Sequence, residues 1–402
     1  MKNFVFISPT FPHTYYQFPK AWKQIGGTAL CIGEDSYASL PQQMKDSMDE
    51  YFQVNSLKDY DQVYRAVAWF AHKHGKIDWL ESNNEFWLEQ DAKLRTDFNI
   101  TTGDKSEDVM RYKLKSNMKA FYEQAGVPVA RYHMVSTLEE GKKFIKEVGY
   151  PVIVKPDDGV GANATWKIDS DQELKEFYDR KVTVPYIMEE FVPGHIESFD
   201  GIVDQDNNVV FQTSHVFPTP IMNIVNAKDE CCYWSVRKIP NDLEEMGTKV
   251  IHAFNIKGRF FHTEYFRLSE DKPGLGKKGS LVGLEVNMRP PGGYTPDMMD
   301  FANDINVYLV YANMCMFNES LYKTSRPYFC VYAGRRDKYT YVNDSAAMYK
   351  KYGQRICMHE RMPELLSSAM GNEFFIAKFE TEKEMKEFTD FVYSKVKVEE
   401  KK

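Results

Sequence analysis

The sequence has 402 residues, of which 43% are hydrophobic and 27% are charged. That composition is ordinary for a globular protein of several structural units and excludes a disordered chain. There are 51 lysine and arginine residues against 58 aspartate and glutamate residues, so the net charge is −7. This balance excludes the broad positive surface that sequence-independent nucleic-acid binding needs.

Neither a membrane span nor a signal peptide is expected. No segment approaches the roughly 18 uninterrupted apolar residues of a membrane helix, and the apolar run at the N-terminus is too short for a signal peptide. The cysteines are scattered and form neither a metal-binding spacing nor a disulfide framework: Cys31, Cys231, Cys232, Cys315, Cys330 and Cys357. We therefore expect no membrane association and a reducing, cytoplasmic location.

The first 100 residues alternate between predicted strands and helices. Strands are predicted over 4–8, 29–33 and 77–81, and helices over the segment that ends at Lys23 and over 64–74. This alternation is typical of a parallel α/β unit. The segment after the first strand has no phosphate-binding glycines, so we do not expect this unit to bind NAD.

Later segments mix helices with mainly consecutive strands. Helices are predicted over 107–124, 138–148 and 381–395, and a hairpin loop over 269–280. Strands are predicted over 151–155, 165–168, 186–191, 198–204, 208–214, 259–268, 281–287, 327–334 and 373–379. The sequence therefore predicts an α/β and α+β multidomain protein.

The first cluster that could take part in binding or catalysis contains Lys155, at the end of an apolar strand. A loop of small residues follows it at 159–164. A lysine and backbone N–H groups in this arrangement can surround phosphate oxygens. The lysine precedes the glycines, so this is not the GxxxxGK[ST] phosphate loop. Taken alone, these residues are more often a simple hairpin turn, which is the alternative interpretation.

The second cluster is the extended segment at 186–197. Its backbone and apolar side chains suit a flat base, with Glu197 or His195 near ribose hydroxyls. A buried strand followed by a turn is the alternative interpretation.

The third cluster lies on two predicted strands. Glu264 is on the first, and Glu285, Asn287 and Arg289 follow one another at alternate positions of the second. Side chains two apart share one face of a strand, so the face carries a carboxylate, an amide oxygen and a guanidinium. Oxygen donors of this kind suit Mg²⁺, and Arg289 suits an anionic substrate or a phosphoryl group. The opposite face is expected to hold Leu284, Val286 and Met288. A solvated face with an incidental Glu–Arg pair is the alternative.

The order and spacing of these motifs resemble the ATP-grasp superfamily of carboxylate–amine and carboxylate–thiol ligases, which includes biotin carboxylase and carbamoyl-phosphate synthase. The similarity covers most of residues 75–300, and the segments at 91–95, 110–115 and 125–129 resemble the family's approach to its nucleotide site. The resemblance implies a Rossmann-like pre-ATP-grasp domain at 1–105, followed by a two-lobed ATP-grasp fold with a small lobe at 106–185. A large lobe with the metal site at 186–320 and a small C-terminal α+β unit at 321–402 complete the expected organisation.

The resemblance also assigns roles to individual residues. The ATP phosphates are assigned to Lys113 and Lys155, and the mobile loop over them to Gly159, Gly161 and Ala162. The adenine-contacting linker is assigned to Glu189, Glu190, Phe191 and Val192, with Glu197 near the ribose. Mg²⁺, expected as two ions with Mn²⁺ as a substitute, is assigned to Glu264, Glu285 and Asn287. Arg289 and Lys155 are the expected catalytic residues.

The function implied is activation of a small carboxylate by ATP as an acyl phosphate, which an amine then attacks with release of ADP and phosphate. Bicarbonate activation of the biotin carboxylase type and a non-catalytic ATP-binding module are the alternatives. The chain departs from biotin carboxylase at Asp157 and Asp158, which replace glycines, and it lacks an Ala-Met-Lys-Met biotinylation segment. Small acids and amines are the expected partners, with a homodimer as a further expectation.

Other conspicuous residues are expected to be structural. These are the isolated histidines His133, His215 and His252, and the aromatic residues at 11–18. Cys231 is expected to form a substrate wall rather than to act as a nucleophile. For Arg335 and Arg336 two interpretations stay open, namely contact with an anionic substrate and simple exposure to solvent.

Overall fold

The computed structural model describes residues 1–159, 164–180, 182–319, 323 and 325–396. The strands are β1 (Asn3–Ile7), β2 (Thr28–Gly33), β3 (Glu50–Gln53), β4 (Trp79–Glu81), β5 (Tyr132–Met134), β6 (Val152–Pro156), β7 (Trp166–Ile168), β8 (Tyr186–Glu190), β9 (Gly194–Val203), β10 (Val209–Thr213), β11 (His215–Phe217), β12 (Cys231–Ser235), β13 (Arg259–Leu268), β14 (Leu281–Asn287), β15 (Phe329–Arg335), β16 (Ile356–Arg361) and β17 (Glu373–Phe379).

The α-helices are α1 (Gln17–Gln24), α2 (Gln42–Asp46), α3 (Tyr60–His74), α4 (Leu88–Asp97), α5 (Ser106–Val109), α6 (Lys115–Gln124), α7 (Leu138–Val148), α8 (Asp171–Tyr178), α9 (Ile221–Ala227), α10 (Asn241–Phe254), α11 (Thr295–Asn303), α12 (Val307–Phe317), α13 (Ser345–Tyr352), α14 (Glu364–Met370) and α15 (Glu382–Val392). Among these described helices, none has the length and hydropathy of a membrane-crossing segment.

The N-terminal sheet is parallel, with strand order β3-β2-β1-β4. Val5 and Ile7 on one face pack into a cluster with residues of α3. Phe4 and Phe6 on the other face pack into a cluster with residues of α1 and α12. Both faces are covered, which is the usual condition for a parallel sheet.

The aromatic segment at 11–18 contributes to that second cluster. Phe18 packs edge-on against Tyr308 and Tyr311, with ring centroids 4.8 Å and 5.4 Å away, and Tyr15 is buried beside it. These two aromatic side chains therefore join the N-terminal unit to α12.

Two antiparallel sheets make up most of the remaining structure. The smaller has the order β5-β8-β6-β7, and the larger has the order β14-β13-β9-β11-β12-β15-β17-β16, with β10 paired to β9. The hairpin β13–β14 and strand β17 have the bounds that the alternating sequence pattern predicts.

The C-terminal strands belong to the large sheet. The strand predicted over 327–334 is observed over 329–335, and the one over 373–379 has its predicted bounds. Strand β15 pairs with β12, so that Cys231 lies opposite Gly334. The strands β15, β17 and β16 thus continue the large sheet. The boundaries at 105, 185 and 320 stay a prediction.

The helix predicted over 107–124 is interrupted. It is divided into α5 and α6 because Leu114 is extended (φ −93°, ψ 127°). The carboxylate of Asp157 accepts hydrogen bonds from the backbone N–H and the hydroxyl of Ser116, each at 2.8 Å. A carboxylate at a helix N-terminus satisfies unpaired N–H groups and complements the helix dipole, which sets the start of α6.

A buried ionic network joins the N-terminal unit to the large sheet. The guanidinium of Arg259 donates to Glu81 at 3.1 Å, to Asp104 at 2.8 Å and to the backbone carbonyl of Met288 at 2.9 Å. Arg95 also donates to Glu81, at 3.3 Å. Although burial alone would raise the pKa of Glu81, Arg259 and Arg95 hold it below its usual value.

Candidate active site

A cavity of about 520 Å³ lies between the small sheet and the large sheet. From the small sheet it is lined by Lys155 and by residues of the segment that follows β8. From the large sheet it is lined by β13, β14 and the turn after β14. Of the residues assigned from the sequence, the cavity brings together Lys155, Glu189, Glu190, Phe191, Val192, Glu264, Glu285, Asn287 and Arg289.

The two glutamates are cross-strand neighbours. Glu264 of β13 lies directly opposite Glu285 of β14, and His262 lies opposite Asn287. Directly opposite side chains in an antiparallel pair have Cβ atoms about 5 Å apart. The carboxylates therefore stand side by side at one end of the cavity floor.

The prediction that side chains alternate strictly along β14 is wrong at Leu284, which was expected to face away from Glu285. The register shifts at this point: Glu264 pairs with Glu285, but Tyr265 pairs with Gly283, which leaves Leu284 as the extra residue of a β-bulge. A bulge turns its extra side chain out of the regular alternation. Leu284 consequently lines the cavity beside Glu285, whereas Val286 and Met288 are buried in the core as predicted.

Tyr122 of α6 supports the hairpin at this bulge. Its hydroxyl donates to the backbone carbonyl of Glu285 at 2.8 Å and lies 3.3 Å from the carbonyl of Glu264. Its ring packs against Gly283, where an added Cβ would lie 2.5 Å from the ring. No local pattern predicts this contact, which joins segments more than 140 residues apart.

Among the described residues, the lysines that line the cavity are Lys115, Lys119 and Lys155. Lys119 and Lys155 both contact the carboxylate of Glu189, at 2.5 Å and 2.6 Å. Burial alone would raise the pKa of Glu189, but the two ammonium groups hold it at about 2. Burial lowers the pKa of Lys119, whereas the Glu189 carboxylate outweighs burial and raises the pKa of Lys155.

Lys115, rather than the predicted Lys113, reaches the cavity. Lys115 Nζ lies 3.6 Å from Glu285 and donates to the backbone carbonyl of Gly159 at 2.9 Å. Lys113 lies outside the lining and pairs instead with Asp158 at 3.4 Å and Glu89 at 3.8 Å. The available signal for Lys115 and Lys119 was their spacing, because positions i and i+4 share one helix face, and the assignment of Lys113 to the ATP phosphates stays a prediction.

Asp157 and Asp158, the two acidic residues after β6, do not line the cavity. Asp157 caps α6, and Asp158 pairs with Lys113 on the outside. Gly161 and Ala162, which were assigned to the phosphate loop, lie outside the described residues, and the assignment to them stays a prediction.

Glu197 is held away from the cavity lining. It forms a two-point ion pair with Arg267, at 2.8 Å and 2.7 Å, and contacts His195 at 3.0 Å. Burial alone would raise the pKa of Glu197, but hydrogen bonds from His195 and Arg267 hold it at about 2. Its neighbour Ile196, on the opposite face of β9, lines the cavity instead.

Arg289 lies at the junction of the cavity with the N-terminal unit. Its Nε is 3.4 Å from Glu85, which follows β4, and its Nη2 is 3.4 Å from the amide oxygen of Asn287. Burial raises the pKa of Glu85, and Arg289 partly opposes that effect. The polar run after β4 was the available signal for Glu85, because the carboxyl ends of parallel strands commonly face a ligand.

A histidine predicted to be structural belongs to a buried network beneath the glutamates. Asp200 accepts from His215 at 2.7 Å and contacts His262 at 2.5 Å, and His262 lies 3.4 Å from Glu264. Burial alone would lower the pKa of His262, but Asp200 and Glu264 raise it to about 10. Burial alone would likewise raise the pKa of Asp200, and the histidines hold it at about 2. The network orients the face on which Glu264 stands.

Cys231, Arg335 and Arg336 have structural roles at or near the cavity. Cys231 lines the cavity, and burial raises the pKa of its thiol, which disfavours the nucleophilic thiolate. Arg336 is buried rather than solvated, and its guanidinium donates to the backbone carbonyls of residues 229, 367 and 368. Arg335 donates to the carbonyl of Val392.

The donor set suits a hard divalent cation. In the described part of the chain no three His, Cys, Asp or Glu side chains form a cluster that could hold a metal ion by themselves, so a metal here would need an amide oxygen and non-protein ligands as well. Glu264, Glu285 and Asn287 provide two carboxylates and one amide oxygen on one cavity face, which is the oxygen-only chemistry that Mg²⁺ prefers. The residues therefore fit Mg²⁺, with further ligands supplied by substrate oxygens or water.

Comparison with known proteins agrees with this geometry. Residues 120–293 match the ATP-grasp domain. The L-arginine-specific L-amino acid ligase of Bacillus subtilis is 24% identical over 282 residues, which are 67% of this chain and 65% of that protein. The N-terminal section of the carbamoyl phosphate synthase large chain of Methanopyrus kandleri is 30% identical over 113 residues, 27% of this chain and 20% of that section.

The fold matches solved structures over nearly the whole chain. The crystal structure of an L-amino acid ligase from Bacillus licheniformis has a TM-score of 0.73 and 16% identity, covering 99% of both chains. The chain spans about a fifth of the carbamoyl phosphate synthase relatives and just under two thirds of the Bacillus subtilis ligase. The predicted fold class is confirmed, and within that fold residues 120–293 match the ATP-grasp domain.

Proposed function

We propose that the protein is an ADP-forming ligase that uses ATP to activate a small carboxylate as an acyl phosphate, which an amine then attacks. The observation that carries the proposal is the pairing of Glu264 with Glu285 in the same cavity as Lys115, Lys155 and Arg289. Carboxylates, ammonium groups and a guanidinium around one space suit the transfer of a phosphoryl group between two anions. The L-amino acid ligase relative supports the same class of reaction.

In this proposal the adenine lies against Ile153 and the segment at 190–192, which line one end of the cavity. The triphosphate extends from there toward Lys115 and Lys155. The pair formed by Lys155 and Glu189 leaves the lysine charged, so it can attract phosphate oxygens.

Glu264, Glu285 and Asn287 would hold Mg²⁺, as two ions or with Mn²⁺ in its place. The metal would neutralise charge on the polyphosphate oxygens. His262 and Tyr122 hold the two strands and the Glu264 carboxylate in place, and Lys115 offsets the charge of Glu285.

The chemistry needs two group transfers. A substrate carboxylate oxygen attacks the γ-phosphorus of ATP, and the bond to the bridging oxygen breaks so that ADP leaves with the electron pair. The amine nitrogen then attacks the acyl carbon, the carbon–oxygen bond to phosphate breaks, and the nitrogen gives its proton to phosphate or water. Arg289 would hold the carboxylate and then the phosphoryl oxygens, and the enclosed cavity would keep water from the acyl phosphate.

The test measures ADP release with Mg-ATP and pools of carboxylic acids and amines, and identifies the product by mass. ADP should form only when an acid and an amine are both present. Glu285→Gln should lower the rate on the order of 100-fold, whereas Glu270→Gln, an exposed glutamate on the same hairpin, should not change it.

Three outcomes would contradict the proposal. They are the absence of ADP with every pool, ADP release that needs bicarbonate and is stimulated by free biotin, and equal rates for Glu285→Gln and the unmodified protein. The second outcome would favour bicarbonate activation, and nucleotide binding without turnover would favour a binding module.

A further inference from the structure

The end of the cavity beyond Arg289 is an apolar chamber, here called the distal chamber. Among the described residues that line it, none is charged. Its aromatic wall is a stacked pair from β11 and β12 with ring centroids 4.8 Å apart. The residues that define it are Phe217, Met222, Tyr233, Leu366, Ala369 and Met370.

The chamber lies at a fixed distance from the glutamate pair because both belong to one sheet. Across the sheet Phe266 lies opposite Ile196, and Ile196 lies opposite Phe217. Strand β11 is two strands away from β13, and β12 is three away. At about 4.8 Å between strands, the chamber wall is roughly 10–14 Å from Glu264.

The chamber opens beside Arg289 and the glycines that follow it. Gly293 packs so closely against the chamber wall that an added Cβ would lie 2.5 Å from the sulfur of Met370. The chamber wall therefore meets the turn that follows Arg289.

Hydrogen bonds connect the chamber walls to the large sheet. Arg336 Nε donates to the carbonyl of Asp229, just after α9, at 2.6 Å, and its Nη2 donates to the carbonyl of Ser368 in α14 at 2.8 Å. The hydroxyl of Tyr332 donates to the carbonyl of Met370 at 2.8 Å. These bonds tie both wall helices to the sheet, so the chamber has a set size.

We propose, on the basis of the function proposed above, that the distal chamber binds the side chain of the carboxylate substrate. The substrate class is then a carboxylic acid with a branched aliphatic or aromatic side chain. A charged side chain in this chamber would lose its hydration without gaining a partner, and a two-carbon acid would leave the apolar walls in contact with water. One methylene in such a pocket changes kcat/KM by about 10- to 200-fold.

The experiment compares acids in matched pairs that differ only in an α-amino group. The pairs are acetate and glycine, glutarate and glutamate, 4-methylpentanoate and leucine, and 3-phenylpropanoate and phenylalanine. Hydroxylamine serves as the amine, so every acyl phosphate is trapped as a hydroxamate and detected together with ADP. The last two pairs should exceed the first two in kcat/KM by at least about tenfold.

A variant pair tests the location. Ala369→Leu fills the chamber and should reduce kcat/KM for the branched and aromatic acids at least about tenfold, with little change for the smallest acid. Ser368→Leu adds a similar side chain to the same helix at an exposed position and should change neither. Thermal unfolding of both variants verifies that they are folded.

The outcomes separate this inference from the function on which it rests. Preference for acetate or glutarate, or a loss caused by Ala369→Leu that is the same for all acids, would overturn the chamber assignment and leave the ligase proposal standing. Absence of hydroxamate and ADP with every acid would overturn the ligase proposal itself.

Discussion

Tyr122 offers the sharpest test of how the fold supports the candidate metal face. Tyr122→Phe removes one oxygen that donates to the carbonyl of Glu285 at 2.8 Å and lies 3.3 Å from that of Glu264. The ring and its contact with Gly283 remain. The substitution therefore perturbs the bulge that sets the two glutamates side by side, with almost no change in packing volume.

The expected magnitudes follow from that single hydroxyl. A lost hydrogen bond costs about 1 kcal/mol, and a buried carbonyl left without its partner costs about 1–3 kcal/mol, so the free energy of unfolding should fall by roughly 1–2 kcal/mol. Loss of a partner that orients metal-binding residues typically weakens metal binding by about 10–100-fold. We expect the Mg²⁺ concentration for half-maximal ADP formation to rise about tenfold.

The assay pairs urea unfolding with Mg²⁺ titration of ADP release, and it needs a control of equal stability. Ile251→Val, in the same buried cluster as Tyr122, should also cost about 1 kcal/mol but touches neither glutamate strand carbonyl. Its Mg²⁺ dependence should match that of the unmodified protein. If the two variants shift the Mg²⁺ requirement equally, the hydroxyl acts only through general stability and the reasoning is refuted.

Two further predictions concern ionic groups. Arg259→Met leaves buried Glu81 without one of its two guanidinium partners and should lower the free energy of unfolding by about 3–5 kcal/mol in urea; exposed Arg65→Met should cost less than about 1 kcal/mol, and equal effects would contradict the network's role. Glu197, with a pKa of about 2 beside Arg267 against a usual value near 4.5, stabilises the fold above about pH 4.5 and loses that contribution as the pH falls toward 2. Glu197→Gln should lower the free energy of unfolding at pH 7 by roughly 2 kcal/mol, a figure discounted for solvent around the pair. The free energy of unfolding should then fall less steeply between about pH 4.5 and about pH 2 than in the unmodified protein, and an equally steep fall would contradict this.

Local patterns were sufficient for individual elements. The bounds of β13, β14, α7 and β17 agree with the prediction, because each has a clear period and is bounded by turn residues or a helix cap. The same alternation predicted that Glu285, Asn287 and Arg289 would share a face, and all three line the cavity.

The start of α6 and the bulge at Leu284 depend on long-range contacts, which local sequence patterns do not predict. The choice between Lys113 and Lys115 depends on where α6 begins, and that is set by Asp157, 41 residues beyond Ser116. The bulge at Leu284 depends on the register with β13 and on the Tyr122 hydroxyl. Neither is encoded in the local period, since each needs a partner that only the folded chain supplies.

The pairing of β15 with β12 has the largest consequence for the candidate site. Because the C-terminal strands continue the large sheet, the helix that carries Ala369 packs over the same sheet that carries Glu264. The chamber wall and the glutamate pair are then roughly 10–14 Å apart on one rigid layer, beyond the range at which substitutions usually couple. Changes in the wall can therefore alter which acid fits, while the hairpin at β13–β14 keeps its register and the groups proposed to act on ATP stay in place.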